Sequence, residues 1–403
     1  MGVRSPGWGL CAVRLEHQME PKEAMLHKNM IDFMQYRLTL CIKNDIILCR
    51  KEQETMHRFD YSFLQNGLLP AGLFNITADI YTLRVMAQNR EEQFTDIFTE
   101  LTAIAKMQSV KSSNEIEGIV TTDERIREIV GGSSAPLSHT EQEIAGYRDA
   151  LSAVHTGYAE LDFRESDILR LHAIMLNIAG YPYAGKYKDY DNDIMEEDGF
   201  GRRRVRFHPT SAAETPEAME QLILAYRDAR DNPNINQLLL IPCVILDFLC
   251  IHPFRDGNGR ISRLLSLLML YRNGFDAGKY ISFEEQISIR KGNYYHALQQ
   301  SSEGWQENES DYSAFIMEFL ITLYMCYKEL DKRFAVIGDR KITKQARVEA
   351  TVLNSLTPVS KTGILKILPD VSATTVEAVL GQMVRSGSVR KIGSGKATRY
   401  IKN

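Results

Sequence analysis

The stretch His252-Pro253-Phe254-Arg255-Asp256-Gly257-Asn258-Gly259-Arg260-Ile261-Ser262-Arg263 decides how the rest of the chain is read. A dense apolar run, Leu238 to Ile251, precedes it, and another, Leu264 to Tyr271, follows it. Both runs read as buried helices. A polar loop between two such helices must have its backbone groups satisfied. Gly257, Asn258 and Gly259 tolerate unusual backbone angles, so successive amide N–H groups can converge into an anion-binding concavity. The helix that starts there adds the positive end of its dipole. Arg260 and Arg263 are three residues apart and share one face of that helix. Together these groups make a phosphate cradle. Asp256 beside it suits Mg²⁺, which takes few carboxylates plus phosphate oxygens. Pro253 biases His252 out of helical geometry, so the first helix is expected to end there. The imidazole then stands at the lip of the cradle, where it can take a proton from an incoming hydroxyl. Singly, a His at a helix end is usually structural and Gly-Asn-Gly is usually a turn. Their conjunction with an acid and two arginines within one short segment carries the reading.

These residues resemble the signature of the Fic (Fido) family, His-x-Phe-x-Asp/Glu-Gly-Asn-Gly-Arg-x-x-Arg, at every defined position. The resemblance implies a mainly α fold: a Fic helical core with a small β-hairpin flap. It implies AMP transfer from ATP to a Ser, Thr or Tyr hydroxyl of a target protein, self-modification included. By that resemblance His252 is the general base and Asp256 the Mg²⁺ ligand, while Gly257, Asn258, Gly259, Arg260 and Arg263 hold the phosphates.

Outward from the signature, Ser112-Ser113-Asn114-Glu115-Ile116-Glu117-Gly118 closes a pair of helices expected over 74–110. Ser113 and Glu117, four apart, share a helical face, and Gly118 suits the helix end. On spacing alone this is a capped surface helix. The segment also resembles the family's inhibitory motif, Ser/Thr-x-x-x-Glu-Gly, which implies that Glu117 pairs with Arg263 and blocks the productive γ-phosphate position. Residues 140–176 read as helical. Lys186 to Ile194 and Arg203 to Phe207 read as two strands joined by Glu196 to Gly201. The resemblance makes this hairpin the flap, with Asn192, Asp193 and Ile194 approaching nucleotide and target; an ordinary surface hairpin is the competing reading. Thr215 is expected to cap a helix with Pro216 in its first turn. Tyr280 to Ile287 reads as irregular. A helix follows from Tyr294, which by resemblance contacts the adenine end, although Ser302 or a neighbour stands where relatives often carry Asn. Residues 312–334 close the core.

The formal charge of −4 hides an asymmetry. Residues 341–403 contain eleven Lys/Arg and three Asp/Glu, a net of +8, so 1–340 carry −12. Three helical stretches and a hairpin around Gly393-Ser394-Gly395-Lys396 resemble a winged helix-turn-helix domain. That places Thr374 and Thr375 near bases of duplex DNA and Arg385, Lys396 and Arg399 near phosphates. A protein-interaction module of the same fold is the alternative.

The expected domains are therefore an N-terminal extension (1–55), a helical region with the inhibitory helix (56–135), the catalytic core (136–335) and the winged helix (341–403). The extension shows no clear period, and Met56 reads as a natural beginning, so an upstream start assigned in error competes with a native segment. Six cysteines without a Cys-x-x-Cys pairing suit free thiols in a reducing compartment. The longest apolar run holds Pro242 and Asp247 and is too short to span a bilayer. A cytoplasmic adenylyltransferase without membrane contact is the expectation. A DNA-binding regulator whose core senses nucleotide, and a hydrolase that removes AMP with Glu117 activating water, are the alternatives.

Overall fold

The computed structural model describes residues 57–65, 70–197, 203–338, 343–353, 355, 358–395 and 398–403. The expectations for the 1–55 extension and for Lys396 lie outside these residues. Arg58–Asn403 pack as one mainly helical unit.

Two helices form its centre: α7 (Gln237–Ile251) and α8 (Asn258–Arg272). Almost every side chain of both is buried. A helix apolar on all sides has no solvent face, so other helices must surround it. α6 (Thr215–Arg230), α10 (Lys291–Ser302) and α11 (Ser313–Gly338) pack on α7; α2 (Thr95–Ile116), α4 (His139–Gly157) and α5 (Glu165–Asn177) pack on α8. α1 (Ala71–Gln93) lies along α11, and α3 (Asp123–Gly131) on α2 and α4. Truncating one of these buried leucines, such as Leu246, costs ~2–5 kcal/mol in general. None of the described helices is long and apolar enough to cross a membrane.

Several boundaries depart from the sequence reading. Residues 140–176 are two helices, because Asp162 and Phe163 turn the chain between them. Strand β1 is Ile194–Glu197, which shares only Ile194 with the expected strand and takes in the start of the expected turn; it pairs antiparallel with β2 (Arg203–Phe207), and its register shifts between Ile194 and Met195. Residues 186–193 are not strand; the Lys188 ammonium bonds the Ile251 carbonyl at the end of α7 and Asn192, and Asn192 bonds the Phe254 carbonyl of the signature loop. Thr215 is the first helical residue rather than the cap, its hydroxyl donating back to the Ser211 carbonyl at 2.7 Å. The segment expected to be irregular holds α9 (Phe283–Ile289), capped by Ser282.

The C-terminal residues form α12 (Lys344–Leu353), α13 (Lys361–Ile367), α14 (Ala373–Arg385) and a hairpin of β3 (Val389–Ile392) with β4 (Arg399–Lys402). Ser360 and Ser372 cap α13 and α14 through their hydroxyls. The elements share their own apolar cluster, centred on Val348, Ile364, Val376, Leu380 and Val389.

Candidate active site

α7 ends at His252, which adopts φ 52° and ψ 59°. That left-handed conformation is uncommon for a residue with a Cβ. It turns the chain sharply and brings the imidazole into a cavity lined by Glu117, Ile194, Arg206, Cys250, Gly259, Arg263 and Tyr294, among others. His252 Nδ1 lies 3.4 Å from the Leu249 carbonyl, to which it can only donate, leaving Nε2 as the acceptor. Burial, reinforced by the Lys188 cation, lowers the His252 pKa to about 4. The ring is therefore neutral at neutral pH and able to accept a proton.

The loop after it is closed by Asn258. Its Oδ1 accepts from the Phe254 amide at 2.9 Å and its Nδ2 donates to the Phe254 carbonyl at 2.7 Å. The Asn258 side chain thus shapes the cradle rather than facing its contents. Gly257 sits at φ 83°, where a Cβ would also collide with the Met175 methyl. α8 starts with no side-chain cap, so its first amides, at Asn258, Gly259 and Arg260, lack intrahelical acceptors. A Cβ on Gly259 would strike the Glu117 carboxylate.

Both signature arginines are held rigidly. Arg260 donates to Glu143 at 2.9 Å and to Asp256 at 3.0 Å, with its side chain 1% exposed. Its Nε is buried without an acceptor. Arg263 donates from Nε to the Ser113 hydroxyl at 2.9 Å and from Nη2 to the Ser113 carbonyl at 3.0 Å. The same Nη2 reaches Glu117 Oε1 at 2.8 Å. Burial would raise the Glu117 pKa, but the Arg263 charge and hydrogen bond, with Arg260 and Lys291 behind them, outweigh it and hold the carboxyl below its usual range. Lys291 also donates to the Ile116 carbonyl at 2.9 Å and fixes the helix end that presents Glu117.

Asp256 is half-exposed, with one oxygen on Arg260 and the other on the Gly257 amide at 2.6 Å. No described cluster of three or more His, Cys, Asp or Glu could hold an ion by itself. A lone exposed carboxylate beside uncapped amides fits Mg²⁺ arriving with phosphate oxygens, not a preformed metal cage.

The other expected residues divide. Ile194 and the buried Tyr294 line the cavity. Asn192 is tied to the Phe254 carbonyl at 3.3 Å, and Asp193 turns to surface His208 at 2.8 Å. On the C-terminal unit, Thr374, Arg385 and Arg399 are exposed, while the Thr375 hydroxyl is bonded to the capping Ser372 at 2.8 Å.

Four further residues stand near the site that no motif in the sequence singles out. Glu143 anchors Arg260. His172 stacks on Phe254, centroids 3.8 Å apart; its Nδ1 accepts from the Gly185 amide at 2.9 Å, so Nε2 donates to the Asp256 carbonyl at 3.1 Å. Asp247, fully buried on α7, accepts from Tyr61 at 2.6 Å, Tyr312 at 2.7 Å and Trp305 at 2.8 Å. Arg206 reaches the cavity from β2 and makes no ion pair with a described residue; its buried Nε has no acceptor. Only Asp247 left a signal, a charge inside an apolar run.

Comparison with known proteins places this geometry. Residues 162–270 match the model of the Fic/DOC family. A protein adenylyltransferase Fic from Nematostella vectensis is 28% identical over 210 residues, 50% of this chain and 44% of that protein. The chain therefore spans less than half the length of that relative. A Fido domain-containing protein from Dictyostelium discoideum is 28% identical over 138 residues, 34% of this chain and 90% of that one. Among solved structures, a Fic family protein from Desulfovibrio desulfuricans has the same fold with a TM-score of 0.56 at 19% identity, over 84% of this chain and 97% of that one. A Fic domain-containing signaling protein from Bacteroides thetaiotaomicron gives 0.50 at 20% identity, over 65% and 97%. The segment that matches the Fic/DOC family model, residues 162–270, is the one that carries the signature loop.

Proposed function

We propose that the protein is an adenylyltransferase that moves AMP from ATP to a hydroxyl of a target protein and is restrained by Glu117. The observation that carries the reading is a neutral, inward-facing His252 beside an uncapped helix N-terminus and two immobilised guanidinium groups. The Nematostella relative, named as an adenylyltransferase, supports it. The target hydroxyl attacks the α-phosphorus while His252 Nε2 takes its proton. The new O–P bond forms as the bond to the β-phosphate breaks, and diphosphate leaves. The α8 amides, Arg260 and Arg263 hold the phosphates, and such preorganised donors supply the largest share of catalysis in general. Asp256 would hold Mg²⁺, which neutralises charge on the departing diphosphate. The free edges of the hairpin suit an extended target segment, which strand pairing can hold without strict side-chain demands.

Glu117 and the γ-phosphate compete for the same guanidinium fork. While Glu117 holds it, the nucleotide sits badly for in-line attack. A reverse reaction, in which Glu117 activates water to remove AMP, rests on the same carboxylate and is the alternative. Three helices and a hairpin around their own apolar cluster support a winged-helix reading of the C-terminal unit.

The test is incorporation of labelled ATP into proteins of a lysate. His252→Ala should lose ~10²–10⁴-fold of the rate, the usual worth of a general base. Nucleotide affinity should stay near the parent's, because the imidazole is not part of the cradle. Labelling at the parental rate would refute the role of His252.

A further inference from the structure

The turn that carries His252 is held from outside the signature. A non-glycine residue at φ 52° persists only where its surroundings over-determine it. Here the carbonyls on either side of His252 are claimed by one segment. Lys188 donates from Nζ to the Ile251 carbonyl at 3.2 Å and to Asn192 Oδ1 at 3.1 Å. Its backbone amide donates to the Pro253 carbonyl at 2.9 Å. Asn192 Nδ2 in turn donates to the Phe254 carbonyl at 3.3 Å. The segment then runs into β1, whose first residue, Ile194, lines the cavity.

Lys188 is an expensive way to make these bonds. It is 4% exposed, and no described carboxylate lies within ion-pair distance of its Nζ. Burying an ammonium without a counter-charge is unfavourable. Burial accordingly lowers its pKa to about 8, with Asp191 opposing the shift from a distance. A plain structural contact between a loop and a helix end could be made by a neutral amide. The ammonium offers three donors that can point at two acceptors at once, one on the catalytic turn and one on the strap to the hairpin.

We propose that Lys188 is a positioning residue for His252: through the Ile251 carbonyl and Asn192 it locks the left-handed turn and couples it to the hairpin strand that receives the target. The catalytic consequence rests on the AMP-transfer reading; the positional consequence does not. Removing the ammonium leaves the Pro253 and Phe254 bonds in place, so the turn survives but loosens. Small misplacements of reacting atoms cost ~10²-fold in rate. The hydrogen bonds of Lys188 go to Ile251, Asn192 and Pro253 and not to the cradle, so nucleotide affinity should not follow.

The experiment compares the full chain with Lys188→Met and Lys188→Arg. Three quantities are read: labelled-ATP incorporation, nucleotide affinity by calorimetry, and the imidazole resonances of His252 in histidine-labelled protein, assigned with His252→Ala. Lys188→Met should lower kcat by ~10–10²-fold with the KM for ATP within about twofold, and should shift or split the His252 resonances. Lys188→Arg, which keeps a donor to the carbonyl, should recover most of the rate and the single resonance. Unchanged His252 resonances in Lys188→Met overturn the proposal. A rate loss matched by an equal loss of nucleotide affinity and of thermal stability overturns it too, since that is the mark of a merely structural contact. If the parent incorporates no AMP, the transfer reading fails, and the resonances still decide whether Lys188 positions the ring.

Discussion

The two walls of the cavity are built on opposite terms. The α8 wall is closed: Arg260 and Arg263 are 1% and 3% exposed, and each is paired with a carboxylate. The hairpin wall is open: β1 has four residues, its register shifts after Ile194, Met195 and Val205 are exposed, and Arg206 has no ion-pair partner among the described residues. A closed wall fixes charges before a substrate arrives, which suits chemistry. An open edge with spare donors and acceptors suits variable partners. On the proposed reading, rate is set by the first wall and target choice by the second.

The sharpest way to break this comparison is to open the closed wall. Glu117→Gly removes the competitor for Arg263 and an anion that repels phosphates. AMP transfer, self-modification included, should rise by ~10²-fold, the scale on which misplaced reacting atoms slow a reaction. Arg263→Ala should not mimic it, because that change also deletes a phosphate contact. Labelled-ATP incorporation by parent, both single variants and the double variant checks this. If Glu117→Gly is no faster than the parent, the restraint is absent. If only the parent strips AMP from a premodified protein, Glu117 serves the reverse reaction instead.

A smaller effect concerns stability. His252 after α7, His172 on α5 and His155 on α4 have pKa values pushed down to about 4, chiefly by burial. Unfolded histidine titrates near 6.5. Between those values the unfolded chain binds more protons than the native one, so stability falls as pH drops from about 6.5 to about 4. Carboxylates held below their usual range, such as Glu117 and Asp370, add their loss only below about 4.5. The melting temperature should therefore decline already above the carboxylate window. A flat profile from pH 6.5 to 5 would mean these rings are not buried neutral.

The closed wall was also the legible one. His252, Asp256, the glycines and both arginines are contiguous, and their spacing alone put them on one loop and one helix face. Glu117 lies far away in sequence, and only the motif resemblance brought it to Arg263. Glu143, His172 and Lys188 were not legible at all. Each acts through contacts with residues distant in sequence, and nothing local distinguishes it from another polar residue on an amphipathic helix or loop. The first strand lies later in the chain than the sequence pattern suggests for a related reason: Lys188 and Asn192 look like residues of an alternating strand, but their polar groups bond the carbonyls around His252. By the resemblance Asn258 serves the phosphates, yet its side chain bonds the Phe254 backbone and shapes the loop.

The smallest expected effect lies away from both walls, on the C-terminal unit, where the charge asymmetry was plain but its partner was not. If the +8 of 341–403 serves duplex DNA, the arginines and lysines meet phosphates first, and each phosphate neutralised releases counterions. Arg385, at the end of α14, and Arg399, at the start of β4, are exposed and placed to do so. The exposed face of α14 is less suited to reading bases: Glu377 there is paired with Lys361, and the Thr375 hydroxyl is engaged by Ser372. Binding should thus be weak, largely indifferent to sequence and strongly salt-dependent. In the full chain, Arg385→Ala with Arg399→Ala should weaken binding to any duplex uniformly. The slope of log affinity against log salt should shrink by about one for each phosphate that is no longer neutralised. Gel retardation of two unrelated duplexes across a salt series measures both. If the parent retards neither duplex at low salt, or if the double variant keeps the parental slope, these arginines do not face DNA. The basic surface would then be better assigned to an acidic protein partner.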